Sequence, residues 1–272
     1  MNPLASGPGE RRSSGQRKLA AGVLTLLALW AAAAPWCFPA GPLAPAAPPL
    51  LPPGAAAWLG SDDLGRSLAA LLAYGLQTSF LVAGGTLAIA LVLGLGFGLA
   101  AGVYGGVIDE VLMRVSEAFQ VLPRTLLAIV VIALFEPGLG VLILVLGLTS
   151  WSGLARWVRA SARAASGSDF VLALRSLGAS RRWIARRHLL RHALTPVAAA
   201  SGNIAAGALL AEAALGFVGL GDAQTTSLGR QIAEAFAFAG VAPWMAWVPG
   251  LGLLVLVLAI HALCAPEVLD AP

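Results

Sequence analysis

The sequence predicts an all-α, polytopic membrane protein with about six transmembrane helices and a long basic loop between spans four and five. Three observations support this fold class. Hydrophobic residues make up 58% of the 272 residues, charged residues only 11%, and the mean hydropathy is +0.85. Soluble domains average about 25% charged residues, and a soluble fold of this composition would expose more apolar surface than monomeric proteins tolerate. The apolar residues also form runs of bilayer length.

The basic residues are confined to two segments, which is the third observation. Four lie in Arg11–Lys18 and nine in Arg156–Arg191, so that 13 of the 17 belong to these segments. Basic segments next to membrane spans stay in the cytoplasm. The net charge of +4 therefore indicates membrane topology rather than nucleic-acid binding, and an even number of spans must separate the two segments.

The first span is predicted at residues 19–38, after a cytoplasmic polar tail at 1–18. A cleaved signal peptide is the alternative. We favour a retained span, because the run is longer than a cleaved apolar region and Trp36 suits a membrane interface. An external loop is expected over 39–73, since the Pro- and Ala-rich part at 39–54 is incompatible with regular helix.

The remaining spans are predicted within residues 74–265, with a cytoplasmic loop at 158–192 and a cytoplasmic C-terminus at 266–272. Three glycines in the second run recur every four residues, which places them on one helix face and favours close packing of a neighbouring helix: Gly94, Gly98 and Gly102. The five predicted runs are Leu76–Val103, Ala118–Phe135, Leu139–Trp157, Ala193–Phe217 and Pro243–Cys264.

The third of the six spans is the weakest by composition. Uninterrupted apolar sequence covers only Thr125–Phe135, and span length is reached by including Gln120, Pro123 and Arg124. Charge decides the prediction. Without this crossing, the Arg156–Arg191 cluster would lie opposite the basic N-terminus, which the positive-inside rule disfavours.

The basic cytoplasmic loop is predicted to contain two short amphipathic helices. Asp169 suits an N-cap for a helix over Phe170–Leu177, since its carboxylate can accept the free amide hydrogens of the first turn. Gly178 suits a left-handed C-cap, and a second helix is expected over Ser180–Leu190. A surface that binds anionic lipid headgroups is the alternative explanation of the charge.

The residues of this loop also carry a resemblance. The segments Asp169–Ser180 and His188–Pro196 resemble the cytoplasmic signature loop of ABC importer permeases. Other motifs resemble the dipeptide/oligopeptide/nickel group of that family, and specifically its second, shorter permease subunit. These motifs are Trp58–Arg66 before the second span, Leu210–Gly221 in the fifth and Ala242–Gly250 at the start of the sixth.

The resemblance implies a permease subunit of an importer in a bacterial inner membrane, with both termini cytoplasmic. It implies a homologous sister permease, two cytoplasmic ABC ATPase subunits and an extracytoplasmic substrate-binding protein as partners, in contact with membrane lipids. A coupling helix ending at Gly178 would fit a groove on an ATPase. The residues implied in ATPase coupling are Asp169, Phe170, Leu174, Leu177, Gly178, Ala179 and His188.

The chain departs from the family pattern at several positions. Leu172 stands where an acidic residue is usual, and Leu174 and Ser176 stand where small residues are usual. Leu228 replaces a common tryptophan. The loss of the acid removes part of the expected electrostatic contact with the ATPase, for which the neighbouring arginines are the available substitutes.

No catalytic constellation is present in the sequence. It contains no match to Gly-x-x-x-x-Gly-Lys-Ser/Thr and no metal-ligand spacing, and Cys37 and Cys264 each adjoin an apolar run. We therefore expect no cofactor or metal bound by this chain, no enzymatic activity of its own, and ATP and Mg used by separate ATPase subunits.

Few ionisable residues lie within the predicted spans. Glu117 and Arg124 are expected near the cytoplasmic interface, and His261 near the end of the last span. Glu212 is the best candidate for a residue of the substrate path, with helix packing as the alternative. Whether Glu212 pairs with Arg124 is open from the sequence.

Several functions remain open at this point. The implied solute is a dipeptide or oligopeptide, or alternatively nickel or a metal chelate. A membrane enzyme acting on lipids would need converging polar catalytic residues, which the spans do not supply. A membrane scaffold without transport would lack a polar path at the interface with a sister chain.

Overall fold

The computed structural model describes residues 8–121, 123–135, 138–222 and 224–265. Within these ranges the regular structure is helical, apart from two isolated β-bridges in the irregular segment before the second helix. The α-helices are α1 Pro8–Cys37, α2 Leu68–Tyr104, α3 Gly106–Val121, α4 Arg124–Leu134, α5 Leu139–Ser166, α6 Asp169–Ser176, α7 Arg181–Ile184, α8 Leu190–Phe217, α9 Leu228–Ala235 and α10 Trp244–Cys264.

Five of these helices are long and apolar enough to cross a bilayer, and α3 with α4 make a sixth crossing if the bent pair forms one span. This agrees with the prediction of about six spans. The helices extend beyond the predicted span bounds in places. Helix α1 begins at Pro8 inside the predicted tail, α2 begins at Leu68 inside the predicted external loop, and α5 continues to Ser166.

The third span is not a straight helix. Helices α3 and α4 meet at a bend of 81° that includes Pro123. Proline lacks an amide hydrogen, and its ring disfavours helical backbone at the preceding residue. The predicted Glu136-Pro137-Gly138 turn and the C-terminus at 266–272 fall wholly or partly outside the described residues.

The described chain divides into two compact units. The first comprises the described residues of 1–83, 132–142 and 206–272. In it, α10 packs against both α1 and α9, around a core of Leu68, Leu71, Ala235, Ala242 and Met245. The amide of Gln77 donates to the carbonyl of Ala31 over 2.6 Å, which ties α2 to α1.

The second unit comprises residues 84–131 and 143–205. Its core surrounds Trp151, which contacts the edges of Phe97 and Phe119. The glycine spacing in α2 has the predicted use. A Cβ on Gly98 would lie 2.5 Å from the carbonyl oxygen of Ala155, so α2 and α5 approach more closely than larger side chains permit.

Candidate functional site

The coupling loop is defined here as residues 158–192. Within it, helix α6 follows α5 and precedes α7 in the sequence. The N-cap of α6 is Ser168, whose φ of −72° and ψ of 147° are extended. The prediction that Asp169 is the cap was wrong, because its backbone is already helical and it forms the first residue of α6. Ser168 makes no side-chain cap bond, and its hydroxyl donates to Ala165 instead.

Gly178 ends α6 as the sequence predicted. Its φ is +84°, in the left-handed region that favours glycine. The amide of Gly178 donates to the carbonyl of Arg175, and the amide of Ala179 donates to the carbonyl of Leu174, both over 3.0 Å. This pair of bonds is a Schellman motif, which satisfies the last carbonyls of α6 and reverses the chain.

The second predicted helix does not stand alone. Ser180 caps α7 by accepting a hydrogen bond from the amide of Trp183. Helix α7 then continues through a π-helical turn, Ala185–Leu189, directly into α8. The predicted end at Leu190 was therefore wrong, because no glycine or proline interrupts the helix there. π-helical turns of this kind are frequent at functional sites.

One side chain anchors α6. Val171 is buried at 2% exposure and packs with Val103 from the end of α2 and with Ile184 and Leu189 from the following helix. Leu174 and Ala179, both predicted to contact an ATPase, are only partly buried and pack against this same cluster. The structure therefore gives these two residues a role in holding α6 in place.

Large apolar side chains on the other sides of α6 are exposed. Phe170, Leu172 and Leu177 are 57%, 49% and 84% exposed, and Trp183 adds 49%. The ring of His188 contacts the edges of Phe170 and Trp183 at centroid distances of 5.0 and 5.2 Å. We call Phe170, Leu172, Leu177, Trp183 and His188 the coupling surface; it brings together three of the predicted residues with two that were not predicted.

An ion-pair cluster that the sequence analysis missed lies at the start of the loop. Asp109 on α3 is buried at 5% exposure and accepts two hydrogen bonds from Arg159, one of them of 2.7 Å from Nη2, and a third from Arg163 Nη2 at 2.6 Å. Arg159 and Arg163 lie four residues apart on α5, where like charges repel. Their spacing was the available signal that an acid lies between them.

The other arginines of the loop behave differently. Six exposed arginines form no ion pair with any residue in the described ranges: Arg175, Arg181, Arg182, Arg186, Arg187 and Arg191. Exposed arginines tolerate this in water. As a group they give the surroundings of the coupling surface a strong positive charge.

Glu212 belongs to the other compact unit. It is buried at 3% exposure in α8, and the hydroxyl of Ser227 donates to its Oε1 over 2.5 Å. Its Oε2 has no partner among the described residues. Within its own unit, the hydrogen-bond partner of Glu212 is Ser227. Glu117, Arg124 and His261 are exposed.

Helix α9 is seated against the end of α8 beside Glu212. A Cβ on Gly229 would lie 2.0 Å from the carbonyl oxygen of Ala213, and one on Gly216 would lie 2.6 Å from the hydroxyl of Ser227. The side-chain amide of Gln231 donates to the carbonyl of Leu71 over 2.9 Å. The predicted loop at 219–242 thus contains a helix whose buried face is fully packed.

A salt-bridge network lies on the less buried side of α9. Glu234 accepts hydrogen bonds from Arg66 at 3.0 Å and from Arg230 at 2.9 Å, and Arg66 also pairs with buried Asp62. Burial alone would lower the pKa of Arg66, but the hydrogen bonds and charges of Asp62 and Glu234 raise it above its ordinary value. Arg66 therefore stays protonated at physiological pH.

Comparison with known proteins identifies the family. Residues 94–265 match the model of the binding-protein-dependent transport system inner membrane component. The chain belongs to this family. The matched residues include α5, the whole coupling loop, Glu212 and helix α9.

Individual relatives are also similar to this permease. The dipeptide transport system permease protein DppC of Bacillus subtilis (strain 168) is 36% identical over 171 residues, which cover 63% of this chain and 53% of that protein, so the chain matches about half of that relative's length. The nickel transport system permease protein NikC of Escherichia coli (strain K12) is 32% identical over 246 residues, which cover 90% of this chain and 89% of that protein.

A solved structure supports the fold. The inward-facing MetNI methionine ABC transporter contains a chain that matches 70% of this permease and 91% of its own length, with a TM-score of 0.57 at 22% identity. This likeness confirms the all-helical permease fold. The protein is thus a multi-pass permease subunit of an ABC importer, as the sequence predicted.

Proposed function

We propose that this permease forms a substrate path with a homologous sister permease and imports a short peptide across a bacterial inner membrane. Two cytoplasmic ATPases would bind the coupling surfaces of the two permeases, and an extracytoplasmic binding protein would deliver the solute. Both termini and the coupling loop would be cytoplasmic, with Pro39–Ala73 and Gly219–Ala242 external. Peptide permeases among the relatives support this substrate class.

The observation that carries the proposal is the contrast between the buried and exposed sides of α6. Val171 fixes one side of the helix, while Phe170 and Leu177 are exposed on another. An apolar patch of this kind marks a binding surface. A helix fixed on one side and docked on the other transmits displacement between an ATPase and the spans, which shifts the path between outward-open and inward-open states.

The chain contributes no chemistry of its own to ATP use. Its part is mechanical, since Asp109 and Val171 hold the loop against α2, α3 and α5. When ATPase subunits are bound, they supply ATP hydrolysis with Mg. The energy then enters the permease through contacts at the coupling surface.

Co-purification tests this function. A tagged chain co-expressed with its genomic neighbours is expected to purify with a sister permease and two ATPase subunits, and ATPase activity should rise with binding protein and peptide. Phe170→Asp with Leu177→Asp should release the ATPases and leave the permeases paired. Val241→Asp, which changes a residue of 70% exposure elsewhere, is the matched control. A chain that purifies alone overturns the proposal.

Nickel or a metal chelate is the second candidate solute. The observation that favours it is the nickel permease relative, which aligns over 90% of this chain. Uptake of radiolabelled nickel and of a labelled dipeptide by cells expressing the complete system separates the two candidates. Stimulation of ATPase activity by only one of the two solutes identifies the cargo.

The topology has its own test. In a background without Cys37 and Cys264, a cysteine placed at Ser168 should react with an impermeant reagent only after the cells are opened. A cysteine at Val241 should react in intact cells. Labelling of the Ser168 position from outside would contradict the proposed orientation.

A further inference from the structure

A basic cavity opens beside the π-helical turn, on the side of the coupling loop next to α8. Its volume is about 590 Å³, and it is lined by Arg186, Arg187, His188, Leu190, Arg191, His192 and Leu194. Three of these seven residues are arginines without an ion pair among the described residues, and none is acidic. The lining therefore attracts anions.

The π-helical turn contributes to this arrangement. In a helix, residues four positions apart lie on the same side, which pairs Arg186 with Leu190 and Arg187 with Arg191. The turn Ala185–Leu189 winds more widely than an α-helix, and His188 within it also lines the cavity.

His188 also lines this cavity. Its Nε2 is closed off from solvent and has no hydrogen-bond partner among the described residues. The imidazole therefore forms part of the wall, and the exposed arginines are the groups that can reach a ligand. The ring itself is held by Phe170 and Trp183.

The lining combines charge with apolar surface. Leu190 and Leu194 lie one helical turn apart, and Leu194 is 50% exposed. An inorganic anion would make no apolar contact with these leucines, whereas a phospholipid provides both a phosphate and an acyl chain. The candidate span within α8 begins at Val197. The three arginines therefore lie about 9 to 17 Å before its start along the helix axis, and long arginine side chains extend toward the headgroup layer.

We propose that this cavity binds the phosphate of an anionic phospholipid from the cytoplasmic leaflet. Arg186, Arg187 and Arg191 would hold the phosphate, and the two leucines would contact the acyl chain. The inference rests on the proposed cytoplasmic side of the loop, where the leaflet surface is anionic. An acidic segment of an ATPase is the competing occupant, but its charged side chains would make no apolar contact with Leu190 and Leu194.

Native mass spectrometry of the purified full-length chain, with any subunits that co-purify, tests the site. The probes are phosphatidylglycerol, phosphatidylcholine and inorganic phosphate. Wild type should retain phosphatidylglycerol in preference to phosphatidylcholine. Replacing Arg186, Arg187 and Arg191 with glutamine should weaken its binding about 100-fold, at roughly fivefold per arginine. The matched control replaces Arg175, Arg181 and Arg182 with glutamine. These substitutions remove the same charge outside the cavity, and they should change binding less than about threefold.

Leu194→Asn separates the two sources of phosphate. It should weaken phosphatidylglycerol binding and leave inorganic phosphate unaffected. Equal losses in both arginine triples, or equal retention of phosphatidylcholine, would overturn the proposal by showing diffuse attraction. Displacement of lipid by inorganic phosphate at equal concentration would also overturn it. Arg187→Gln alone, with an expected loss of about fivefold, serves if the triple variant unfolds. These measurements do not depend on whether ATPases bind.

Discussion

Two short helices of this permease, α9 and α6, differ in how much of their surface is buried against the rest of the chain. Helix α9 buries Leu228, Gly229, Gln231 and Ala235 against its own chain. Helix α6 buries only Val171 and exposes large apolar side chains on its other face. Both segments are amphipathic, yet only one has its partners within the chain.

The charged residues around α9 and α6 differ in the same way. Around α9, Glu234 is shared by Arg66 and Arg230. Around α6, six arginines have no ion pair among the described residues. A segment whose side chains are buried and paired within the chain belongs to the scaffold. A segment with exposed apolar and charged side chains is suited to binding other molecules. The predictions below test this difference, from the largest effect to the smallest.

Gly229→Ala should be the most damaging single change. The new Cβ would lie 2.0 Å from the carbonyl oxygen of Ala213, and backbone cannot yield as a side chain can. We expect a loss of about 3 kcal/mol in stability, measured as a lower unfolding temperature in detergent. Gly240→Ala, which meets nothing within 4 Å, should behave as wild type. Equal unfolding temperatures for the two variants would show that α9 is not tightly seated.

Asp109→Asn should weaken the ion pairs that hold the start of the coupling loop. It removes the shared partner of Arg159 and Arg163, which are 29% and 48% exposed. This exposure reduces the cost to about 1–2 kcal/mol, below that of a fully buried pair. We expect solute uptake per ATP hydrolysed to fall while ATPases still co-purify.

The neighbouring residue provides the control for Asp109. Glu110 pairs with Arg114, and both side chains are more than 60% exposed, at 62% and 76%. Glu110→Gln should change stability by about 0.5 kcal/mol or less and leave the coupling ratio unchanged. If both substitutions reduce uptake equally, the Asp109 cluster has no special role.

Gly178→Val should act on α6 alone. Nothing lies within 4 Å of a Cβ at this position, so the cost comes from the φ of +84° and amounts to about 1–2 kcal/mol. The unfolding temperature of the whole chain should hardly change, but stimulated ATPase activity and transport should fall. Gly178→Asn, which tolerates left-handed backbone better, should retain more activity than valine. Normal transport by the valine variant would contradict a coupling role for this turn.

The sequence predicted features that depend on neighbouring residues. Apolar run length and basic clustering identified the spans, and the position of Gly178 identified the end of α6. It missed features that depend on distant residues. Asp109 meets Arg159 fifty positions later, and the buried face of α9 packs on residues near Leu71 and Ala213. No periodicity within α9 reports such partners.

The candidate site was predicted in part for the same reason. The sequence placed Phe170 and Leu177 on one amphipathic helix, and both are exposed there. It did not show that Leu174 and Ala179 face the Val103 cluster. Nor did it reveal that Ser168 rather than Asp169 precedes the first helical turn, because the two differ only in backbone angles.

The small anchor of α6 has a consequence for local opening. An eight-residue helix is too short to be stable alone in water, and it is held in place by Val171, the partly buried Leu174 and Ala179, and the Schellman turn. Its amide hydrogens should therefore exchange with solvent faster than those of the α5 core. Occupation of the coupling surface would slow that exchange, so deuterium uptake over residues 169–178 reports directly when a partner is bound.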